Sequence, residues 1–176
     1  IIFLIGAFYL VKLINRSERR KNAISKRMSE LKLEAVRAQI NPHFIFNCLN
    51  SIQVFIVRND KESAQKYLIK FAKLIRKTLD YSKKTFNTLE EEVEYLDNYL
   101  SLERMRFEEK LTYSIEVDPS IEKQKVKIPS MLIQPHIENA ILHGIQPSST
   151  SGHIKLSFKI EEGSLVITIQ DNGVGI

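Results

Sequence analysis

Asn41-Pro42-His43-Phe44-Ile45-Phe46-Asn47-Cys48-Leu49-Asn50 sets a histidine directly after a proline, inside what otherwise reads as one long helix. Proline has no N–H and crowds the carbonyl four residues back, here that of Ala38, which costs an ordinary helix interior about 3 kcal/mol. A chain that keeps Pro42 there needs a local bend or an exposed carbonyl beside His43. Asn47 follows at i+4, on the same helical face, where it can position the imidazole or a water. Cys48 is the only cysteine, so no internal disulfide can form, and a lone cysteine in an apolar helix is usually a small core residue.

Working toward the N-terminus, Ile24, Met28, Leu31, Ala35 and Ala38 recur at steps of four and three, the seam of a two-stranded coiled coil. Asn15 to Arg37 holds eight Lys or Arg against three Glu, which accounts for the whole net charge of +5. A nucleic-acid binder needs its basic face on the folded domain, so this placement excludes nucleic acid as the expected partner. It points instead to a membrane flank. Residues 1–11 are uncharged and mostly apolar. The run is shorter than the roughly 20 residues of a full span, yet the chain starts with Ile, and a basic flank after an apolar run marks the cytoplasmic side. The expectation is the end of a transmembrane helix over 1–14 and a basic juxtamembrane signalling helix over 15–38.

Working toward the C-terminus, the helix runs on to Val57. Asn59-Asp60-Lys61-Glu62 resembles a capping box, with Asn59 as N-cap and Glu62 reaching back. Ala64, Leu68, Phe71, Ala72, Ile75 and Leu79 form the apolar stripe of a second helix. Lys66, Lys70, Lys73, Arg76 and Lys77 form its solvated face. Thr88 and Glu91 cap a third helix that runs to about Phe107. Helices that cannot close a core alone suggest a dimeric bundle.

Beyond residue 108 the period changes. Leu111, Tyr113, Ile115 and Val117 alternate with polar residues, as do Ile154, Leu156, Phe158 and Ile160, and both runs read as strands. Glu161-Glu162-Gly163-Ser164 turns the second run into a hairpin with Leu165–Gln170. Pro129–His143 reads as a helix ended by Gly144 at C′. The expected fold is α+β, with a helical part over 39–107 and an α/β part over 108–176.

Two further clusters carry chemistry. His136, Asn139 and His143 fall on one face of the Pro129–His143 helix. An Asn oxygen is a hard, neutral ligand suited to Mg²⁺. The two histidines would suit zinc, but the third protein ligand is missing. Asp171-Asn172-Gly173-Val174-Gly175 follows directly on a strand, where Gly173 and Gly175 let backbone approach a ligand and Asp171 can accept a hydrogen bond from an adenine amino group.

Together these segments resemble LytS-type sensor histidine kinases over nearly everything from residue 31 onward. Asn41–Asn50 is similar to the family's phosphoacceptor motif. Glu138-Asn139-Ala140-Ile141-Leu142-His143-Gly144 and Asp171–Gly175 are similar to the N and G1 boxes of the Bergerat-fold ATPases shared by histidine kinases, gyrase and Hsp90. The resemblance implies that His43 attacks the γ-phosphate of ATP, that Asn139 holds Mg²⁺, and that Asp171 reads adenine with His143, Gly173 and Gly175 around it. It also implies a homodimer, a response-regulator receiver domain as acceptor, and a bacterial inner membrane location with the kinase part cytoplasmic. Where many histidine kinases carry an acid after the histidine, this chain has Phe44, and where a basic residue often precedes the N-box histidine it has Leu142. These departures support a second expectation, a degenerate ATPase acting as a signalling scaffold. A chaperone or topoisomerase ATPase of the same fold fits neither Asn41–Asn50 nor the membrane flank. The lid and second glycine-rich box of the family do not occur in these residues, so the 176 residues alone are expected to bind ATP poorly.

Overall fold

A computed structural model of the chain describes residues 42–175 apart from Glu109. The apolar run over 1–14, the basic helix over 15–38 and the heptad seam from Ile24 to Ala38 lie outside the described residues, as does the Ala38 carbonyl that Pro42 was expected to crowd. Among the described residues no helix is long and apolar enough to cross a membrane.

Helix α1, Pro42–Val57, buries Phe44 and Cys48 and sets Ile52 and Phe55 against the same core. Its end corrects the sequence reading by one residue. Asn59 takes a left-handed φ of 57°, its N–H meets the Ile56 carbonyl at 3.0 Å, and the Asp60 N–H meets that of Phe55 at 2.9 Å. That is a Schellman close, which favours Gly or Asn at the left-handed position. The N-cap of α2, Lys61–Tyr81, is therefore Asp60, whose side chain accepts from the Ser63 N–H at 3.0 Å.

The face of α2 is also rotated from the expected one. Tyr67, Leu74, Thr78 and Tyr81 are buried, whereas Leu68 and Leu79 are exposed. Tyr67 and Tyr81 bring more apolar area than an Ala or a Leu, and each tyrosine finds a hydrogen bond inside, to Cys48 Sγ and the Glu91 carbonyl. The lysines divide accordingly: Lys70 donates to Ser101 at 2.9 Å, and Lys73 and Lys77 pair with Glu94. Lys66 and Arg76 of that face are exposed.

Helix α3, Leu89–Arg106, starts as expected. Thr88 Oγ1 accepts from the Glu91 N–H at 3.2 Å, and Glu91 Oε2 accepts from the Thr88 N–H at 2.9 Å. It is the central helix, buried on several sides by Leu89, Tyr95, Leu96, Tyr99, Leu100 and Leu102, with α1 and α2 on one flank and the sheet on another.

A two-stranded ribbon, β1 (Phe86–Thr88) against β3 (Lys127–Pro129), was not expected. Three-residue strands are too short to show a period. Strand β2, Leu111–Val117, pairs in parallel with β4, Gly152–Glu161. β4 and β5 (Ser164–Asp171) form the expected hairpin, closed by Glu162 and Gly163 at φ 50° and 77°, the double left-handed turn that suits strand twist.

The helix expected over Pro129–His143 is corrected at both ends. Pro129 belongs to β3, and α4 spans only Gln134–Asn139, with Pro135 in its first turn where a missing N–H costs nothing. From Ala140 to Ile145 the helix widens into a π segment. Gly144 therefore lies inside the widened turn and not at C′.

Candidate functional site

His43 sits exposed on the first turn of α1. The next residue holds that turn in place: Phe44 is buried against Tyr99 of α3, ring centroids 5.1 Å apart. One turn on, the Asn47 amide nitrogen lies 3.3 Å from His43 Nδ1 and 3.4 Å from Nε2, favouring neither. The amide is thus within reach of the ring from one helical turn away, where it can position the imidazole. Across from this turn, Glu103 is almost fully buried and accepts from Arg106 Nε at 2.9 Å. Burial pushes the Glu103 carboxyl up, and the Arg106 and His43 charges act against that shift. Cys48 is fully buried and its thiol is pushed up to about 12 by that burial, which makes it an inert core group.

The second cluster forms a cleft of about 720 Å³ between α4 with its π segment and strand β5. Asn139 and His143 come from one wall, with His136, Leu132 and Ile133 beside them. Asp171 and Gly175 come from the other, above Ile167 and Ile169. The mixture is an apolar slot with a few polar groups at its ends, the usual make-up of a small-molecule site. An apolar slot beside a carboxylate fits a flat base, and the neutral Asn139 oxygen fits a phosphate-bound Mg²⁺. No Lys or Arg lines the cleft among the described residues.

The glycines divide their work differently from the sequence reading. Gly173 does not line the cleft. A Cβ there would lie 2.3 Å from the carbonyl carbon of Gly144 and 2.5 Å from its oxygen, so the glycine serves a backbone-on-backbone contact. The Val174 N–H then meets that Gly144 oxygen at 3.0 Å. Asp171 Oδ1 accepts from the Gly173 N–H at 2.9 Å. Gly175, at φ 76° and with open space around it, does face the cleft.

Sequence reasoning took Gly144 for a helix end, gave Asn172 no role of its own within Asp171–Gly175, and passed over Gly152. Asn172 ties the loop to the start of β4, accepting from the His153 N–H at 2.5 Å and donating to the Ser151 carbonyl at 3.1 Å. A Cβ on Gly152 would meet the Ile145 side chain at 2.3 Å. A glycine directly after the helical His143 was the available signal. A helix-end reading absorbed it, because a π widening leaves no mark in the sequence period.

Comparison with known proteins adds an independent line. Residues 31–111 match the family model described as "Histidine kinase". The chain is 33% identical over 149 residues to the sensor histidine kinase YesM of Bacillus subtilis, covering 85% of this chain and 25% of that protein. It is 34% identical over 160 residues to the sensor histidine kinase BtsS of Escherichia coli K12, covering 91% and 27%. It is 34% identical over 152 residues to the sensor protein LytS of Staphylococcus haemolyticus, covering 86% and 26%. The chain thus spans about a quarter of the length of the curated relatives it matches.

Proposed function

Because the chain belongs, through residues 31–111, to the histidine kinase family, we propose that His43 takes the γ-phosphoryl group of ATP and passes it to an aspartate of a response-regulator receiver domain. The observation that carries this reading is the cleft. It gathers Asn139, His143, Asp171 and Gly175 from elements apart in sequence into one slot, while a separate exposed histidine stands on α1 in the same α+β unit.

Each residue then has a task. His43 attacks in line through its unprotonated ring nitrogen, which must stay free of hydrogen bonds for the purpose, and Asn47, one turn on, positions the ring. Asp171 accepts from the base, and Ile167 and Ile169 supply its apolar floor. Asn139 holds the divalent cation, which spreads the charge of the transferring phosphoryl group. His143 faces the same space and supplies charge when protonated. In this reading residues 39–107 form the phosphoacceptor and dimerisation part, and residues 108–176 carry the ATP site. The apolar run over 1–14 belongs to a membrane helix and residues 15–38 transmit its signal. Apolar side chains left exposed on α1 and α2, among them Phe46, Ile56, Val57 and Ile69, support a homodimer through those helices.

The cleft's lack of Lys or Arg among the described residues favours one competing reading, a scaffold whose ATPase has lost its transfer activity. One experiment separates the two. The full-length protein is incubated with labelled ATP and a divalent cation, beside His43→Gln. Acid-labile, base-stable label that vanishes in His43→Gln is the expected outcome. Label that persists in the variant, or never forms in the wild type, rejects the kinase.

A further inference from the structure

Buried polar groups in a folded protein are paired almost without exception, so a row of them crossing between elements needs a purpose. Thr78 of α2, Tyr95 of α3 and Gln134 of α4 are all buried. They stand in one chain of hydrogen bonds that ends at Glu138, directly before Asn139. Tyr95 Oη lies 3.0 Å from Thr78 Oγ1 and donates to Gln134 Oε1 at 2.7 Å. Gln134 Nε2 donates to Glu138 Oε1 at 2.7 Å.

Counting protons fixes the direction of this chain. Glu138, as a carboxylate, can only accept, so the Gln134 amide must turn its nitrogen that way and its oxygen toward Tyr95. The reversed amide would set oxygen against oxygen. Tyr95 has one proton and gives it to Gln134. Burial, with the nearby Glu138 and Glu92 charges, pushes the Tyr95 phenol up, so that proton is kept. Thr78 also has one proton and two acceptors in reach, Tyr95 Oη and the Leu74 carbonyl at 2.9 Å. The far end of the chain therefore has two settings: Thr78 either completes the row through Tyr95 or closes onto its own helix. The Glu138 charge further acts on Glu103 and Tyr99, and Tyr99 is the ring that carries Phe44 beside His43.

We propose that Tyr95 and Gln134 are positioning residues that hold Glu138, and with it the Asn139 turn of the cleft wall, in fixed register with the helices that carry His43. The relay touches neither the phosphoacceptor nor the lining of the cleft. It makes the alignment of the two parts depend on how α2 and α3 pack, so that a change in the bundle reaches the cleft through four side chains. This inference rests on the kinase reading for its consequence in activity, but not for its structural content.

The test has two arms on the full-length protein. In the first, Tyr95→Phe and Gln134→Met are compared with wild type for labelling of His43. Loss of one relay bond is expected to lower kcat about tenfold while KM for ATP stays within about twofold of wild type. Thr78→Ser, which keeps the hydroxyl, is expected to retain wild-type turnover. An unchanged kcat in both relay variants, or a kcat that falls only in proportion to unfolded protein in a melting curve, overturns the proposal. The second arm needs no nucleotide and no activity: hydrogen exchange of the amides of residues 136–145. Faster exchange there in Tyr95→Phe, with exchange in α1 unchanged, supports the relay. Identical exchange in wild type and variant overturns it. Wild-type protein that never labels removes the kinase reading, and the exchange arm then still decides the relay.

Discussion

At the scale of single residues, Glu92 is a costly choice. It is fully buried, its carboxyl is pushed from the ordinary 4.5 to about 6 by that burial, and hydrogen bonds from Asn87 and the Met131 backbone recover only part of the loss. Its Oε1, with Asn87 Oδ1 and Ser130 Oγ, has no partner within hydrogen-bond reach. A carboxyl whose pKa is raised by folding binds more protons in the native state between about 4.5 and 6. Its contribution is therefore most favourable below that window and is lost as pH rises through it. Glu92→Gln is expected to stabilise the protein by about 2 kcal/mol at neutral pH and to flatten the fall in stability across the window. Urea unfolding at pH 5 and pH 7 checks both, and a variant less stable than wild type at pH 7 would show that the charge is used. Sequence gave no hint of this residue, since a Glu in the first turn of a helix reads as ordinary macrodipole chemistry. That Asn139, His143 and Asp171 share one cleft was legible because their side chains are themselves the signal, and Gly175 because the lack of one is. Gly173 was half legible: the need for a glycine showed, but its partner, the Gly144 backbone, did not.

At the scale of elements, local chemistry was read well and packing was not. The Thr88 cap lay at the expected residue because a capping box is a contract between residues three apart. Thr88→Ala is expected to cost about 1 kcal/mol and to lower the melting temperature by about 4 °C. Thr88→Ser should lose little, and equal losses in both variants would mean that the methyl group and not the hydroxyl matters. The alternating strands β2, β4 and β5 were legible for the same reason of period. The buried face of α2 was misread because hydropathy ranks Leu68 and Leu79 above Tyr67 and Tyr81, whereas the core took the aromatic residues that could also bond their hydroxyls. The β1–β3 ribbon and the π segment depend on partners some forty residues away or on a change of helical pitch, and neither leaves a local trace.

At the scale of the whole molecule, the uneven apolar surface is the feature to test. Phe46, Ile56, Val57 and Ile69 are each more than half exposed on α1 and α2, with Val57 at 78%, whereas α3 hides nearly everything apolar that it has. Such unpaired helix faces associate. Phe46→Ser combined with Ile69→Ser is expected to shift the protein from dimer to monomer in sedimentation at micromolar concentration, and wild type that already sediments as a monomer would remove the dimer. The order in which this chain can fold follows from its strand pairing. The α1–α2 hairpin closes through neighbouring residues, but β2 pairs in parallel with β4, which must wait until the whole stretch between them has been gathered. As the chain leaves the ribosome, the helices bearing His43 can form early, and the Asp171–Gly175 loop comes after them. In the kinase proposed above, synthesis then passes through a stage that presents His43 before the cleft that would hold a phosphoryl donor has been gathered.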